Sequence, residues 1–162
     1  MSRGPEGYST DTMTDQPLSN DVDAFARIDA ADAHSVARLR HELSQWLRTH
    51  VTLDDDKLND ILLAVNEALT NAAEFAYRGQ PGTMGVDVHY DDTDRSLVVD
   101  VFDHGTWRHV DSGAQPNTRG RGIPLMRALA DETTISPSPN GTHVQMRFGD
   151  CALVRNKAFA SV

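Results

Sequence analysis

The sequence predicts an α+β two-layer sandwich, in which helices cover one face of a mixed, mainly antiparallel sheet. Two long amphipathic helix patterns occur one after the other, and a single strand pattern precedes them. The later strand patterns come in adjacent pairs around turns, instead of alternating with helices. Paired strands of this kind favour antiparallel hairpins, and helices packed on such a sheet favour this class over a doubly wound parallel sheet.

The first half of the chain predicts one strand and two helices. Residues 22–28 alternate between the two sides of a strand, and residues 29–50 repeat apolar side chains at spacings of three and four. A second, longer helix begins after Thr52 or Asp54, because either side chain can cap it. Gly79 and the Pro-Gly pair that follows end this helix.

The second half predicts two hairpins separated by a loop and a short helix. The strands are expected at residues 84–90, 97–102, 133–136 and 142–148. Residues 103–122 are rich in Gly, Asp, Asn and Thr and predict a long loop, which in a compact domain is usually functional or mobile. A short helix over residues 123–131 follows it.

These elements form one domain with two polar ends. Residues 1–20 contain almost nothing to bury and predict a disordered leader, because ordering them would go uncompensated. Residues 21–148 form the domain, and residues 149–162 are expected to be a C-terminal tail. A chain of 162 residues is too short for two independent cores.

Composition excludes several classes of protein. The 15 basic and 24 acidic residues give a net charge of −9, which argues against nucleic acid and anionic membranes as partners. No apolar run is long enough to span a bilayer, and the first residues lack the apolar core of a secretory signal. The single cysteine, Cys151, cannot form an internal disulfide. We expect a cytoplasmic protein.

The second helix carries the first candidate site. Glu67 and Asn71 are four residues apart, so they share one face of the helix. A carboxylate can accept a proton, and an amide oxygen can ligate Mg²⁺. Taken alone, the pair also fits an ordinary solvated face of an amphipathic helix.

Two further segments could bind a nucleotide. Asp103 ends an apolar strand, where a buried carboxylate can accept a hydrogen bond from an exocyclic amine, and Gly105 lets a ring approach the backbone. The run Gly120-Arg121-Gly122 opens the short helix at Ile123. Exposed N–H groups at a helix start suit a polyphosphate, and Arg121 can add a charge-assisted bond. A turn and a flexible loop are the alternative interpretations.

These motifs together resemble the Bergerat ATP-binding (GHKL) fold, which gyrase, histidine kinases and mismatch-repair ATPases share. The order is Glu67 and Asn71, then Asp103 and Gly105, then Gly120 and Gly122, then Thr142 after Gly141 in the last strand. The compact size and the run EALTNAAEFAY are similar to one branch, the bacterial anti-sigma factor serine/threonine kinases of the RsbW and SpoIIAB type. The resemblance covers about residues 22–148 and implies a histidine-kinase-like ATPase fold.

The resemblance also implies a role for each matching residue. Glu67 would be the catalytic general base, and Asn71 would coordinate the Mg²⁺ that bridges the phosphates of ATP. Asp103 would bind the adenine amine, Gly105 would shape the base pocket, and Thr142 would support adenine through Asp103 or a water. The glycine loop, with Arg121 and Ile123 at the start of the helix, would wrap the phosphates.

The family further implies that the protein phosphorylates an anti-sigma antagonist with a STAS domain and sequesters a sigma factor. A homodimer is also implied. Two positions depart from the pattern: Trp107 stands where a glycine is common, and Phe75 stands where a histidine is frequent. These departures motivate a second interpretation, a regulatory module that binds ATP and transfers little or no phosphate.

A third interpretation is the catalytic half of a histidine kinase, because the run around His41 superficially resembles a phosphoacceptor box. His41, however, falls inside the first helix of the same small domain, and no separate dimerisation helices are predicted. An ordinary surface histidine explains it better.

Overall fold

The computed structural model describes residues 24–77, 80–105 and 122–154. The helices are α1 (Ala33–His50), α2 (Asp55–Phe75) and α3 (Gly122–Leu129). The strands are β1 (Ala24–Ala30), β2 (Val51–Thr52), β3 (Thr83–Asp91), β4 (Ser96–Asp103), β5 (Glu132–Ser138), β6 (Gly141–Phe148) and β7 (Ala152–Leu153).

Five strands form the main sheet in the order β1-β3-β4-β6-β5, and every neighbouring pair is antiparallel. The central strands β3, β4 and β6 present alternate residues to the core, as the period of two in a strand requires. Met84, Asp103 and Thr142 lie in register across these three strands. The register therefore brings the two polar residues, Asp103 and Thr142, directly opposite each other.

The helices pack on one face of this sheet. Leu43 of α1, Leu69 of α2 and Met126 of α3 are fully buried in one core cluster with the inward residues of the strands, among them Val99 and Met146. The other face of the sheet carries the alternate, more polar side chains. The predicted two-layer α+β sandwich is confirmed.

Both long helices begin at an aspartate. The side chain of Asp32 accepts a hydrogen bond from the backbone N–H of Ser35 at 2.7 Å, and Asp54 accepts one from Lys57 at 2.7 Å. Each bond satisfies an N–H that has no partner within the helix. Asp54 is therefore the N-cap of α2. Asp32 is the N-cap of α1, so that helix begins at Ala33, four residues later than the periodicity alone predicts.

Two short strands are absent from the sequence prediction. The two-residue strands β2 and β7 pair antiparallel with each other, so residues 149–154, which the prediction assigned to the tail, contact the domain. Cys151 is fully buried, and its backbone N–H donates to the carbonyl of Arg95 at 3.0 Å. Two residues are too few to show a periodicity, which explains why neither strand was predicted.

Candidate nucleotide site along helix α2

The end of β4 holds a buried carboxylate. Asp103 is 4% exposed, and its Oδ1 accepts hydrogen bonds from the backbone N–H groups of Gly105, at 3.1 Å, and of Thr142, at 3.3 Å. The first bond closes a tight turn after the strand, and the second crosses to β6. Together they hold the carboxylate in one orientation at the C-terminal end of β4.

Thr142 contributes a buried hydroxyl to this end of the site. Its side chain is 3% exposed, and among the described residues no group forms a hydrogen bond with Thr142 Oγ1. Buried hydroxyls are usually paired, and leaving one unpaired costs about 1–3 kcal/mol. An unpaired hydroxyl beside a held carboxylate is suited to binding a polar ligand or a water molecule.

Gly105 lets the turn after β4 lie against the C-terminal end of α2. A side-chain carbon at Gly105 would overlap the backbone carbonyl of Ala76, the residue that caps the helix. Only glycine permits this close approach. The turn after β4 and the end of α2 therefore form one side of the site.

The other end of the site lies about two turns earlier on α2. Glu67 and Asn71 face the first residue of α3, because a side-chain carbon at Gly122 would lie 3.2 Å from Glu67 Oε2 and 3.0 Å from Asn71 Nδ2. Asn71 is 7% exposed, an unusual burial for an amide side chain. The start of α3, whose first N–H groups have no partner within the helix, thus adjoins both polar side chains of α2.

Helix α2 connects the two ends. Glu67 and Ala76 are nine residues apart, which corresponds to about 13 Å along a helix axis. A purine and a terminal phosphate in one nucleoside triphosphate are separated by a distance of that order. The arrangement offers a hydrogen-bond acceptor at one end, and a carboxylate, an amide and helix N–H groups at the other.

The structure thus places six of the predicted site residues in two groups. Glu67, Asn71 and Gly122 lie at one end, and Asp103, Gly105 and Thr142 lie at the other. Ile123 follows Gly122 and packs, partly buried, against the core, so it holds the start of α3. Gly120, Arg121 and Trp107 lie outside the described residues.

The sequence does not predict the contact between Ala76 and Gly105. No sequence signal marks that contact, because it depends on how the end of β4 approaches the helix.

The described residues offer few protein ligands for Mg²⁺. Within residues 24–77, 80–105 and 122–154, no group of three or more His, Cys, Asp or Glu side chains is arranged to hold a metal ion. Mg²⁺ is often bound by one or two protein oxygens together with substrate phosphates. The buried Asn71, with its amide oxygen beside the start of α3, fits that kind of site.

A separate groove of about 300 Å³ lies between α1 and α2. Its lining residues are Ala33, Val36, Ala37, Arg40, Asn66, Thr70, Ala73 and Glu74. None of the described site residues lines this groove. The arrangement of polar groups, and not the depth of a cavity, therefore locates the candidate site.

One family of known proteins matches most of this chain. Residues 30–148 match the family described as the histidine kinase-like ATPase domain. The chain belongs to this family. The matched range includes every predicted site residue, and a histidine kinase-like ATPase domain of the GHKL type is an ATP-using, kinase-like module.

A solved structure shares the fold of this histidine kinase-like ATPase domain. The crystal structure of the RsbU and RsbW domains of Rv1364c from Mycobacterium tuberculosis superposes with a TM-score of 0.61 at 22% identity. The match covers 82% of this chain but only 33% of that one, so this chain spans about a third of its length.

The histidine kinase domain from the Erythrobacter litoralis EL346 blue-light activated histidine kinase matches with a TM-score of 0.45 at 25% identity. This second match covers 58% of this chain and 45% of that chain.

In the part of the chain that the structure describes, no helix is long and apolar enough to cross a membrane.

Proposed function

We propose that this domain binds MgATP along α2 and transfers the γ-phosphoryl group to a serine or threonine of a partner protein. The observation that carries the proposal is that two polar groups adjoin one helix. Asp103 and Thr142 lie near its C-terminal end, and Glu67, Asn71 and Gly122 lie about two turns earlier. The residues of both ends come from separate parts of the chain.

At the purine end, the carboxylate of Asp103 accepts a hydrogen bond from the exocyclic amine of adenine. An ionised carboxylate is only an acceptor, so it favours a base with a donor at that position. The Thr142 hydroxyl lies on the opposing strand and bonds to the base directly or through a water. Because the Asp103 carboxylate is buried and held by two backbone N–H groups, this end is preorganised to accept a hydrogen bond from a base.

At the phosphate end, Glu67 accepts the proton of the attacking hydroxyl while that oxygen bonds to the γ-phosphorus and ADP leaves. The Asn71 oxygen would ligate Mg²⁺, which supplies neutralisation of the phosphate charge when it is bound. The N–H groups at the start of α3 bind phosphate oxygens. Catalysis is then mainly positioning and electrostatic stabilisation, as phosphoryl transfer requires.

The partners follow from the resemblance to the RsbW and SpoIIAB branch. The proposed acceptor is a STAS-domain anti-sigma antagonist, and the proposed second partner is a sigma factor that this cytoplasmic domain sequesters, as a monomer or a homodimer. The similarity of fold to the RsbU and RsbW domains of Rv1364c supports this proposal. The net charge of −9 also favours protein partners over nucleic acid.

Calorimetry with ATP and Mg²⁺ tests the purine end. Asp103→Asn should weaken ATP binding by about 10- to 100-fold, because a hydrogen bond to a charged group is lost. Asp100→Asn is the matched control, since Asp100 lies on the same strand but bonds His143 and Gln145 on the other face. Equal affinities of the two variants would contradict the assignment of Asp103.

Transfer of label from γ-³²P-ATP to candidate antagonists tests the phosphate end. Glu67→Gln should keep ATP binding and slow transfer by about 10²–10⁴-fold, the usual contribution of a general base. Glu74→Gln, an exposed position on the same helix, should transfer normally. Transfer by Glu67→Gln at the normal rate would remove Glu67 from the mechanism.

A second candidate function is an ATP-binding regulator that does not transfer phosphate. Phe75 favours it, because this aromatic residue ends α2 immediately before the Ala76 contact with Gly105, where a polar residue is frequent in the family. Tight ATP binding by a protein that labels no partner would favour this alternative over the kinase. Acid-labile label on His41 would instead favour a histidine kinase.

A further inference from the structure

A tyrosine hydroxyl bridges the two strands that frame the purine end. Tyr77 Oη donates a hydrogen bond to the backbone carbonyl of Thr83 and accepts one from the backbone N–H of His104 at 2.9 Å. A phenol hydroxyl has one donor hydrogen and can accept as well, so both roles are used here. Tyr77 itself lies just beyond the C-terminal end of α2.

The Tyr77 hydroxyl stands where the next backbone hydrogen bond between β3 and β4 would form. Strands β3 and β4 pair antiparallel, and the last paired residues at this end are Met84 and Asp103. Continuing that register by one residue would place Thr83 opposite His104. In place of a direct bond between their backbones, the hydroxyl of Tyr77 stands between the two groups, so it holds the strands apart just after Asp103.

The separation has a geometric consequence for the base pocket. His104 lies between Asp103, whose carboxylate is held by the Gly105 N–H, and Gly105, which packs against the Ala76 carbonyl. The Tyr77 bridge anchors the middle residue of this segment. An anchored segment holds the Gly105 N–H on Asp103 Oδ1, and thereby the orientation of the carboxylate.

The ring of Tyr77 is also held in place. It lies against Gly82, where any side-chain carbon would overlap the ring. The carbonyl of Gly82 in turn accepts a hydrogen bond from the Ala31 N–H at 2.9 Å, which connects this turn to the start of α1. The packed ring therefore holds the hydroxyl in one position, which a positioning group requires.

We infer that Tyr77 is a positioning residue that sets the selectivity of the site for adenine, by holding the Asp103-His104-Gly105 segment through its hydroxyl. The inference rests on the proposed function, since it assigns Tyr77 to the proposed Asp103–adenine contact. Tyr77 itself touches neither the base nor the phosphates in this role.

The test compares two nucleotides and two matched variants. Tyr77→Phe keeps the ring and removes the bridge. Tyr90→Phe is the control, because the Tyr90 hydroxyl also donates to a backbone carbonyl, that of Cys151 at 2.8 Å, outside the residues of the site. Calorimetry measures the affinity of each protein for ATP and for purine riboside triphosphate, which lacks the exocyclic amine.

The expected result is a loss of selectivity. Tyr77→Phe should weaken ATP binding by about three- to tenfold and leave purine riboside triphosphate almost unchanged, so that the ratio of the two affinities falls. Amide hydrogen exchange at His104 should become faster in the same variant. Tyr90→Phe should retain the wild-type ratio and the wild-type exchange at His104.

Two other outcomes separate this inference from the proposed function. If the wild-type protein prefers ATP and Tyr77→Phe keeps the same ratio, Tyr77 is only a structural residue and the inference is wrong. If the wild-type protein shows no preference for ATP, the proposed adenine contact is wrong, and the role of Tyr77 in selectivity is overturned with it. A melting temperature measured for Tyr77→Phe and for Tyr90→Phe shows that both variants are folded.

Discussion

Replacing Thr142 with valine should have opposite effects on the free protein and on nucleotide binding. Valine matches the shape of threonine and retains the backbone N–H that Thr142 donates to Asp103, so the change removes only the hydroxyl. In the free protein that hydroxyl is buried and has no partner among the described residues. In the proposed complex it bonds to the base or to a bridging water.

The magnitudes follow from the cost of an unpaired hydroxyl. Removing a group whose burial costs about 1–3 kcal/mol should stabilise the free protein by about 1 kcal/mol, after local relaxation. For a domain of this size that corresponds to a rise in melting temperature of about 3–6 °C. The lost hydrogen bond to ligand should weaken ATP binding by about 2- to 12-fold.

Thermal unfolding without nucleotide and calorimetry with MgATP measure the two effects. Thr134→Val, an exposed threonine on β5, is the control and should change neither quantity appreciably. A lower melting temperature for Thr142→Val together with unchanged ATP affinity would refute the reasoning. That result would mean that the hydroxyl is a structural group and does not face the ligand.

Three further predictions concern stability. Asp87→Asn should raise the melting temperature near pH 7, because burial and then the charge of Asp100 raise the pKa of Asp87, while His89 and His143 lower it. Because the pKa of Asp87 is raised, its carboxyl group favours the folded protein at low pH, and that contribution is lost as pH rises through the raised pKa. The higher melting temperature of Asp87→Asn should therefore disappear below about pH 4 in a pH series of thermal melts. Asp91→Asn should lower the melting temperature at neutral pH, because the Thr93 hydroxyl and then Arg147 lower the pKa of Asp91 to about 2. That stabilisation is fully present above the ordinary value of 3.8 and is lost as pH falls through about 2, so the two proteins should then melt together. Gly141→Ala should cost more than about 1–3 kcal/mol in denaturant titrations, because Gly141 has φ +143° and a side-chain carbon would overlap the Asp103 carbonyl. An unchanged denaturation midpoint would contradict this reason for glycine.

The elements were largely predictable because their signals are local. Apolar spacings of three and four predicted α1 and α2, and alternation predicted the strands of the main sheet, to within a few residues at each end. The ends were less accurate for a physical reason: α1 begins where Asp32 can accept from Ser35, and a bond of that kind adjusts the start of a helix by a turn. Strands β2 and β7 depend only on each other and left no local pattern.

The candidate site was predictable as a set of residue types but not as a geometry. The spacing of Glu67 and Asn71 places them on one helix face, which any helix of that sequence must produce. The contact of both with Gly122 depends instead on how α3 packs on α2. The run EALTNAAEFAY ends at Tyr77, but the role of its hydroxyl could not be predicted, because it depends on Thr83 and His104 coming together.

By itself, the sequence determined the α+β class, the polar face of α2, the excess of negative charge and the order of the motifs that place the chain among histidine kinase-like ATPase domains. Only the tertiary structure decided that Asp103 and Thr142, 39 residues apart, share a hydrogen bond, and that the Thr142 hydroxyl is buried without a partner among the described residues. The reason is that helix and strand periods act over a few residues, whereas register and burial depend on which distant segments pack together.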